Sequence, residues 1–253
     1  MTPMRRYRAA VIASFAASFI FGYVAVTRYR DYRAEHTVVK ETQETDTLGV
    51  NPREVSFQSI DKDMIASFEG CDTQPYFPGG KSGPTIGYGV DLAHINTHHL
   101  DSLFSGLLPK HVIEEMKTAH GKRGADAKAW IARHRGLRIT HAVAEAAFYR
   151  TCRLYWSKTL AEYQGVERLD NNAQCVVLSL VINYGPGSKP LEAMRDPIRR
   201  NDIRAMIAHM RRLEKGVSMR GLARRRQEER KVLEAVVARN DRVAQHTNLI
   251  AFD

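Results

Sequence analysis

The stretch Cys71–Leu92 constrains this chain more than any other. It reads CDTQPYFPGGKSGPTIGYGVDL, and Pro75, Pro78, Gly79, Gly80, Gly83 and Pro84 crowd its first part. Proline lacks the amide hydrogen that a helix interior needs and collides with the preceding turn, so no helix crosses this segment. Tyr76-Phe77 and Thr85-Ile86 flank the turn from Pro78 to Gly83, the spacing of a small hairpin. Upstream the pattern is helical. Ile60, Met64, Ile65 and Phe68 recur at helical spacing, Ser59 can cap the start, and Asp61 and Asp63 suit the first turn. That helix reaches Glu69 and stops at Gly70. The expected fold class is α+β, mostly helical, with a small β-hairpin lobe.

Helical patterns resume downstream. Leu100, Leu103, Phe104, Leu107 and Leu108 form an apolar stripe up to Pro109, and Val112, Ile113 and Met116 continue as a second short helix. An Ala-rich stretch covers Ala125–Ala132, and Thr140 can cap the next helix, with Val143, Ala147, Tyr149, Leu154 and Leu160 near its buried side. Val176, Val177, Leu180 and Val181 mark the most apolar helix, expected in the core. It ends at Asn183 and Tyr184, before the Gly185-Pro186-Gly187 break.

The N-terminal region is of another kind. Arg5, Arg6 and Arg8 precede an uncharged run, Ala9–Thr27, and Arg28, Arg30 and Arg33 follow it. At 1.5 Å per residue the run spans about 28 Å, one hydrocarbon core. A retained transmembrane signal anchor is the first reading and a cleaved signal peptide the second. Flanking bases and apolar residues all round argue against a buried soluble helix. Small residues such as Ala13, Ala16, Ala17 and Gly22 make the anchor weakly apolar. The expected organisation is a basic tail at 1–8, an anchor at 9–27, a polar linker at 28–58, a globular domain at 59–240 and a C-terminal tail at 241–253.

A composition of 43% hydrophobic and 26% charged residues excludes bulk disorder and a multi-span membrane protein. Lys+Arg 38 against Asp+Glu 28 gives +10, so an anionic partner is expected: cell wall, membrane surface or nucleic acid. The bases concentrate in Arg195–Lys231. Arg225 with Glu229 reads as an ordinary i,i+4 pair on a solvated face; as a patch, the region would hold anionic wall polymer or lipid headgroups. Nucleic acid lacks an interleaved aromatic stack or a recognition motif. Cys71, Cys152 and Cys175 are too few for a disulfide scaffold. Three buried free thiols are expected, the alternative being a bond from Cys71 to Cys152 or Cys175. His94, His98 and His99 lack metal-ligand spacing and read as solvated or hydrogen-bonded.

The chemistry points to Glu69. A carboxyl at a helix end, facing a β-element with a Thr and an Asp just beyond, is a plausible glycosidase layout. Glycoside hydrolysis needs one protonated carboxyl for the leaving oxygen and a second group to activate water or attack the sugar. The plainer alternative is that Glu69 caps a helix end or pairs with one of the many Arg. Tyr88 either stacks on a sugar ring or plugs the hairpin against the helical lobe.

FEG (Phe68–Gly70), the Pro/Gly-broken hairpin and then TIGYGVDL (Thr85–Leu92) resemble the phage-type lysozymes of glycoside hydrolase family 24, and in particular their pesticin-like branch. AQCVVLSLVINYGPG (Ala173–Gly187) resembles the family's long core helix, and GLARRRQEE (Gly221–Glu229) its G-L-x-x-R-R-x-x-E block. The resemblance implies a lysozyme-like domain with Glu69 as general acid and Thr85 orienting the attacking water. In the phage enzymes an Asp or Cys commonly sits six residues before that Thr, where this chain has Gly79. In the pesticin-like branch the Asp follows the Thr, which implies Asp91 as base or water-polarising carboxylate, with Asp72 in reserve. Tyr88, Asn183 and Tyr184 are implied to line the cleft. The implied reaction is inverting hydrolysis of the β-1,4 bond between N-acetylmuramic acid and N-acetylglucosamine, with carboxyls about 6.5–9.5 Å apart and no cofactor. Peptidoglycan as substrate implies a domain outside the cytoplasmic membrane. The alternative is an inactive lysozyme-like wall-binding or scaffold protein.

Overall fold

The computed structural model describes residues 57–58 and 60–250. They form two compact units: Ala66–Thr151, and residues up to Ile65 together with Cys152 onward. The expected anchor at 9–27, most of the linker and the cap at Ser59 lie outside the described residues. Among those described, no helix is long and apolar enough to cross a membrane.

Helix α1 (Lys62–Glu69) opens with the Asp61 carboxylate accepting the Asp63 N–H at 3.0 Å, so Asp61 fills the capping role. The expected hairpin forms with a third strand added. Strands β1 (Asp72–Tyr76), β2 (Thr85–Gly87) and β3 (Val90–Asp91) make an antiparallel sheet in the order β1-β2-β3. The third strand exists because Gly87 and Gly89, at φ 62° and 77°, turn the chain back within three residues. Tyr76 is the register partner of Thr85, and Thr85 of Asp91. These three residues therefore form one row across the sheet.

The rest of the first unit is helical: α2 (Thr97–Phe104), α3 (Lys110–Lys117), α4 (Ala125–Arg133) and the start of α5 (His141–Glu162). The apolar stripe expected up to Pro109 is helical only as far as Phe104. Leu107 and Leu108 lie in the turn after Gly106, at φ 73°. Asn96 caps α2 through its side chain, and Thr140 caps α5 by accepting the Val143 N–H at 3.2 Å. Ile86, Leu92, Leu100, Phe104, Met116 and Trp130 are buried in one cluster, so the sheet and helices share a core.

In the second unit α6 (Asn171–Tyr184) is buried continuously from Ala173 to Val181, the all-round burial its apolar run implies. The long helix α9 (Arg220–Ile250) packs on α6 and along α8 (Ile203–Gly216), with the short α7 (Arg195–Arg199) beside α8. Helix α9 continues through residue 240 to Ile250.

Candidate active site

Glu69 ends α1, with Gly70 at φ 67° stopping the helix. The half-buried Glu69 carboxylate lies against the β2–β3 turn: a Cβ added at Gly89 would stand 3.9 Å from its Oε2. Thr85 opens β2 and is 3% exposed, and its hydroxyl donates to Gly83 O at 3.2 Å. With its proton directed there, the hydroxyl oxygen faces any further partner as an acceptor.

Asp91 stands opposite Thr85 on β3, and its carboxylate is held by four donors. Oδ1 accepts from Ala93 N at 2.9 Å and His94 N at 3.3 Å; Oδ2 accepts from Gly83 N at 3.1 Å and lies 2.9 Å from His94 Nδ1. One amide donor precedes β2 and two follow β3, so Asp91 ties β3 to the strand entry at Gly83. These bonds fix the orientation of the carboxylate within the fold.

Tyr76 joins this group without having been singled out in the sequence. Burial pushes its phenol up to about 12, and the charges of Asp72, Glu69, Asp91 and Cys71 push the same way. A neutral phenol thus sits within reach of the fields of three carboxylates. Nothing local marks Tyr76; its place follows from strand register, which aligns it with Thr85 and Asp91.

Asp72 begins β1 opposite Gly87 and is half-buried. Tyr88 packs its ring on Phe148, centroids 4.9 Å apart, and is half-buried against the core cluster, which favours the plugging reading. Cys71 is half-buried, not fully buried, with Sγ 3.6 Å from His141 Nδ1. Burial, with Asp72 and Glu145, pushes its thiol up to about 11 against a hydrogen bond with Tyr88. Cys152 and Cys175 are buried in the second unit, and all three cysteines are free thiols. Burial also pushes the Cys175 thiol up, and it donates to Asp61 O at 2.8 Å.

The structure thus brings Glu69, Thr85, Asp91, Asp72 and Tyr88 into the first unit. Asn183 and Tyr184 belong to the second, at the end of α6, where the Arg226 guanidinium lies 5.1 Å from the Tyr184 ring centroid. The Arg225–Glu229 pair is not on a solvated face: Arg225 is 6% exposed, and Arg226 and Glu229 are fully buried. Helix α9 turns this side toward α6, where Ser179 Oγ donates to Glu229 Oε1 at 2.6 Å and Arg226 does so at 2.9 Å.

A helical domain with a three-stranded antiparallel sheet and a carboxyl at the junction defines a lysozyme-like α+β domain. The family model Pesticin, described as bacterial toxin homologue of phage lysozyme, C-term, matches residues 59–194, more than half of the chain, and the chain belongs to that family. No curated protein matches it. Membership makes it a lysozyme-like protein of the muramidase type, with peptidoglycan the substrate that this class implies.

Proposed function

We propose that the chain is an N-acetylmuramidase of glycoside hydrolase family 24, cutting the β-1,4 bond between N-acetylmuramic acid and N-acetylglucosamine. The observation that carries this reading is the Glu69 carboxylate lying beside the turn whose two strands hold Thr85 and Asp91 as register partners. Glu69 in its acid form gives its proton to the glycosidic oxygen as the C1–O bond breaks. Water attacks C1 from the opposite face, oriented by the Thr85 oxygen and the Asp91 carboxylate, and releases its proton to Asp91 as the new bond forms. The product is inverted. Residues 9–27 anchor the protein, residues 28–58 serve as a stalk, and the domain works on the extracytoplasmic side.

The test is mass spectrometry of purified peptidoglycan after incubation with the full chain. Muropeptides with free N-acetylmuramic acid reducing ends are expected, with rates falling at least about a thousandfold in Glu69→Gln. A second reading draws on the four donors already holding Asp91 and on Gly79 in place of an acid: a lysozyme-like domain that binds wall without cutting it. Wild-type protein that pellets with cell walls but releases no muropeptide would establish that second reading.

A further inference from the structure

We propose that the β1–β2 turn and the segment 122–128 form one basic surface that binds the carboxylates of the peptide stems on a peptidoglycan strand. The inference rests on the muramidase reading above and narrows its substrate to strands whose stems are charged. The chain leaving α3 runs against the entry to β2. A Cβ at Gly83 would lie 2.9 Å from Lys122 O, and Gly121 N donates to Ala93 O at 3.0 Å. Further along, the Lys128 ammonium stands 5.3 Å from the centroid of the Phe77 ring. The turn from Phe77 to Gly83 is thus flanked by this segment, and Lys81 within the turn joins Lys122, Arg123 and Lys128. Lys81, Arg123 and Lys128 are exposed, and Lys122 is half-buried. None of these bases makes an ion pair among the described residues, and Asp126 is the one acidic residue of the two segments.

Bases that face no carboxylate keep their attraction for an anion, and position decides which anion they meet. Gly83, which abuts Lys122, also donates its N–H to Asp91 Oδ2 at 3.1 Å, so the basic turn begins beside the row of Thr85 and Asp91. A stem of about four residues, extended at about 3.3 Å each, reaches about 13 Å from its sugar. With the glycan at Glu69, stem carboxylates come within the span of the turn. A separate phosphate polymer has no such fixed place relative to the cut. The bases hold the stem equally before and during bond cleavage, so they contribute to KM and not to kcat.

The test uses full-length wild type and a variant carrying Lys81→Gln, Arg123→Gln and Lys128→Gln, on soluble, uncross-linked peptidoglycan strands. A control carries Lys110→Gln, Arg133→Gln and Arg135→Gln, exposed bases at the opposite ends of α3 and α4. Two substrates are compared, both with their stem amines acetylated and one with its stem carboxylates converted to amides. The first variant is expected to raise KM about tenfold on the carboxylate strands and less than about twofold on the amidated ones, with kcat unchanged. Lys81→Gln alone should raise KM about twofold on the carboxylate strands, and the control should leave KM within about twofold on both substrates. An unchanged KM, an equal rise on both substrates, an equal rise in the control, or a loss of kcat in place of a rise in KM would each overturn the proposal, while continued muropeptide release keeps the muramidase reading intact. No muropeptide release by wild type, or equal release by Glu69→Gln, would remove that reading and this proposal with it.

Discussion

Gly83 shows how far one residue's chemistry is set by its neighbours. A Cβ there would overlap Ala93 Cβ and come within 2.9 Å of both Asp91 Oδ1 and Lys122 O. Backbone on one side and a bonded carboxylate on the other cannot retreat cheaply. Gly83→Ala is therefore expected to cost about 1–3 kcal/mol in urea unfolding. Because the Gly83 N–H also holds Asp91 Oδ2 at 3.1 Å, muropeptide release should fall more than the stability loss explains. A variant as stable and active as wild type would mean that Asp91 does not depend on this contact. At this scale the sequence was a partial guide. Glu69, Thr85 and Asp91 were singled out by the resemblance of FEG and TIGYGVDL to a known family, and the structure places all three in the first unit. The tie from Gly83 to Asp91 was not legible: a glycine among prolines reads only as a turn, and the close approach that requires it is made by residues eight and ten positions on.

Elements were legible where a single period governs them, and less so where two segments must first meet. The helix ending at Glu69, the cap at Thr140 and the all-buried α6 follow from local pattern and propensity. Strand β3, only two residues long, has no pattern of its own and forms because β2 offers it an edge. The Arg225–Glu229 spacing is the same on a wet face as on a dry one, and burial is decided by α6, far away in sequence. There Glu229 Oε1 accepts from Ser179, Arg225 and Arg226. Burial pushes the Glu229 carboxyl up, and the two guanidinium groups and the Ser179 hydroxyl oppose it. Removing the carboxylate would take from two buried guanidinium groups the negative charge they share. Glu229→Ala is accordingly expected to destabilise the protein by about 3–5 kcal/mol, read from the shift in urea midpoint. A cost within about 0.5 kcal/mol, the level of an ordinary surface pair, would show that α9 does not bury this group.

Across the whole molecule, net charge says less about partners than where the charge is neutralised. The chain carries +10, and its bases are densest in Arg195–Lys231. In the fold many of them face carboxylates: Arg199 meets Asp196, Arg204 meets Asp241, Arg211 meets Glu234, Arg230 meets Glu214 and Glu234, and Lys231 meets Glu228. Lys215, Arg220 and Arg224 are exposed and make no ion pair among the described residues. If this region holds an anionic wall polymer, the contact falls to those three together with Arg200 and Arg212, which are also exposed and make no ion pair among the described residues, since a base already facing a carboxylate brings little net positive potential to a phosphate. Each base that meets a phosphate displaces a counterion and steepens the salt dependence of binding by somewhat under one unit of log–log slope. Fluorescence titration of the full chain with a labelled polyphosphate polymer, at several salt concentrations, reads this slope. Replacing Lys215, Arg220 and Arg224 with Ala should flatten it by about two to three units. Replacing Arg199, Arg211 and Lys231 with Ala should leave it almost unchanged, because that set removes charges already balanced by neighbouring carboxylates. Equal flattening by the two sets would mean that the pairs open on binding and that net charge, not its arrangement, governs attachment.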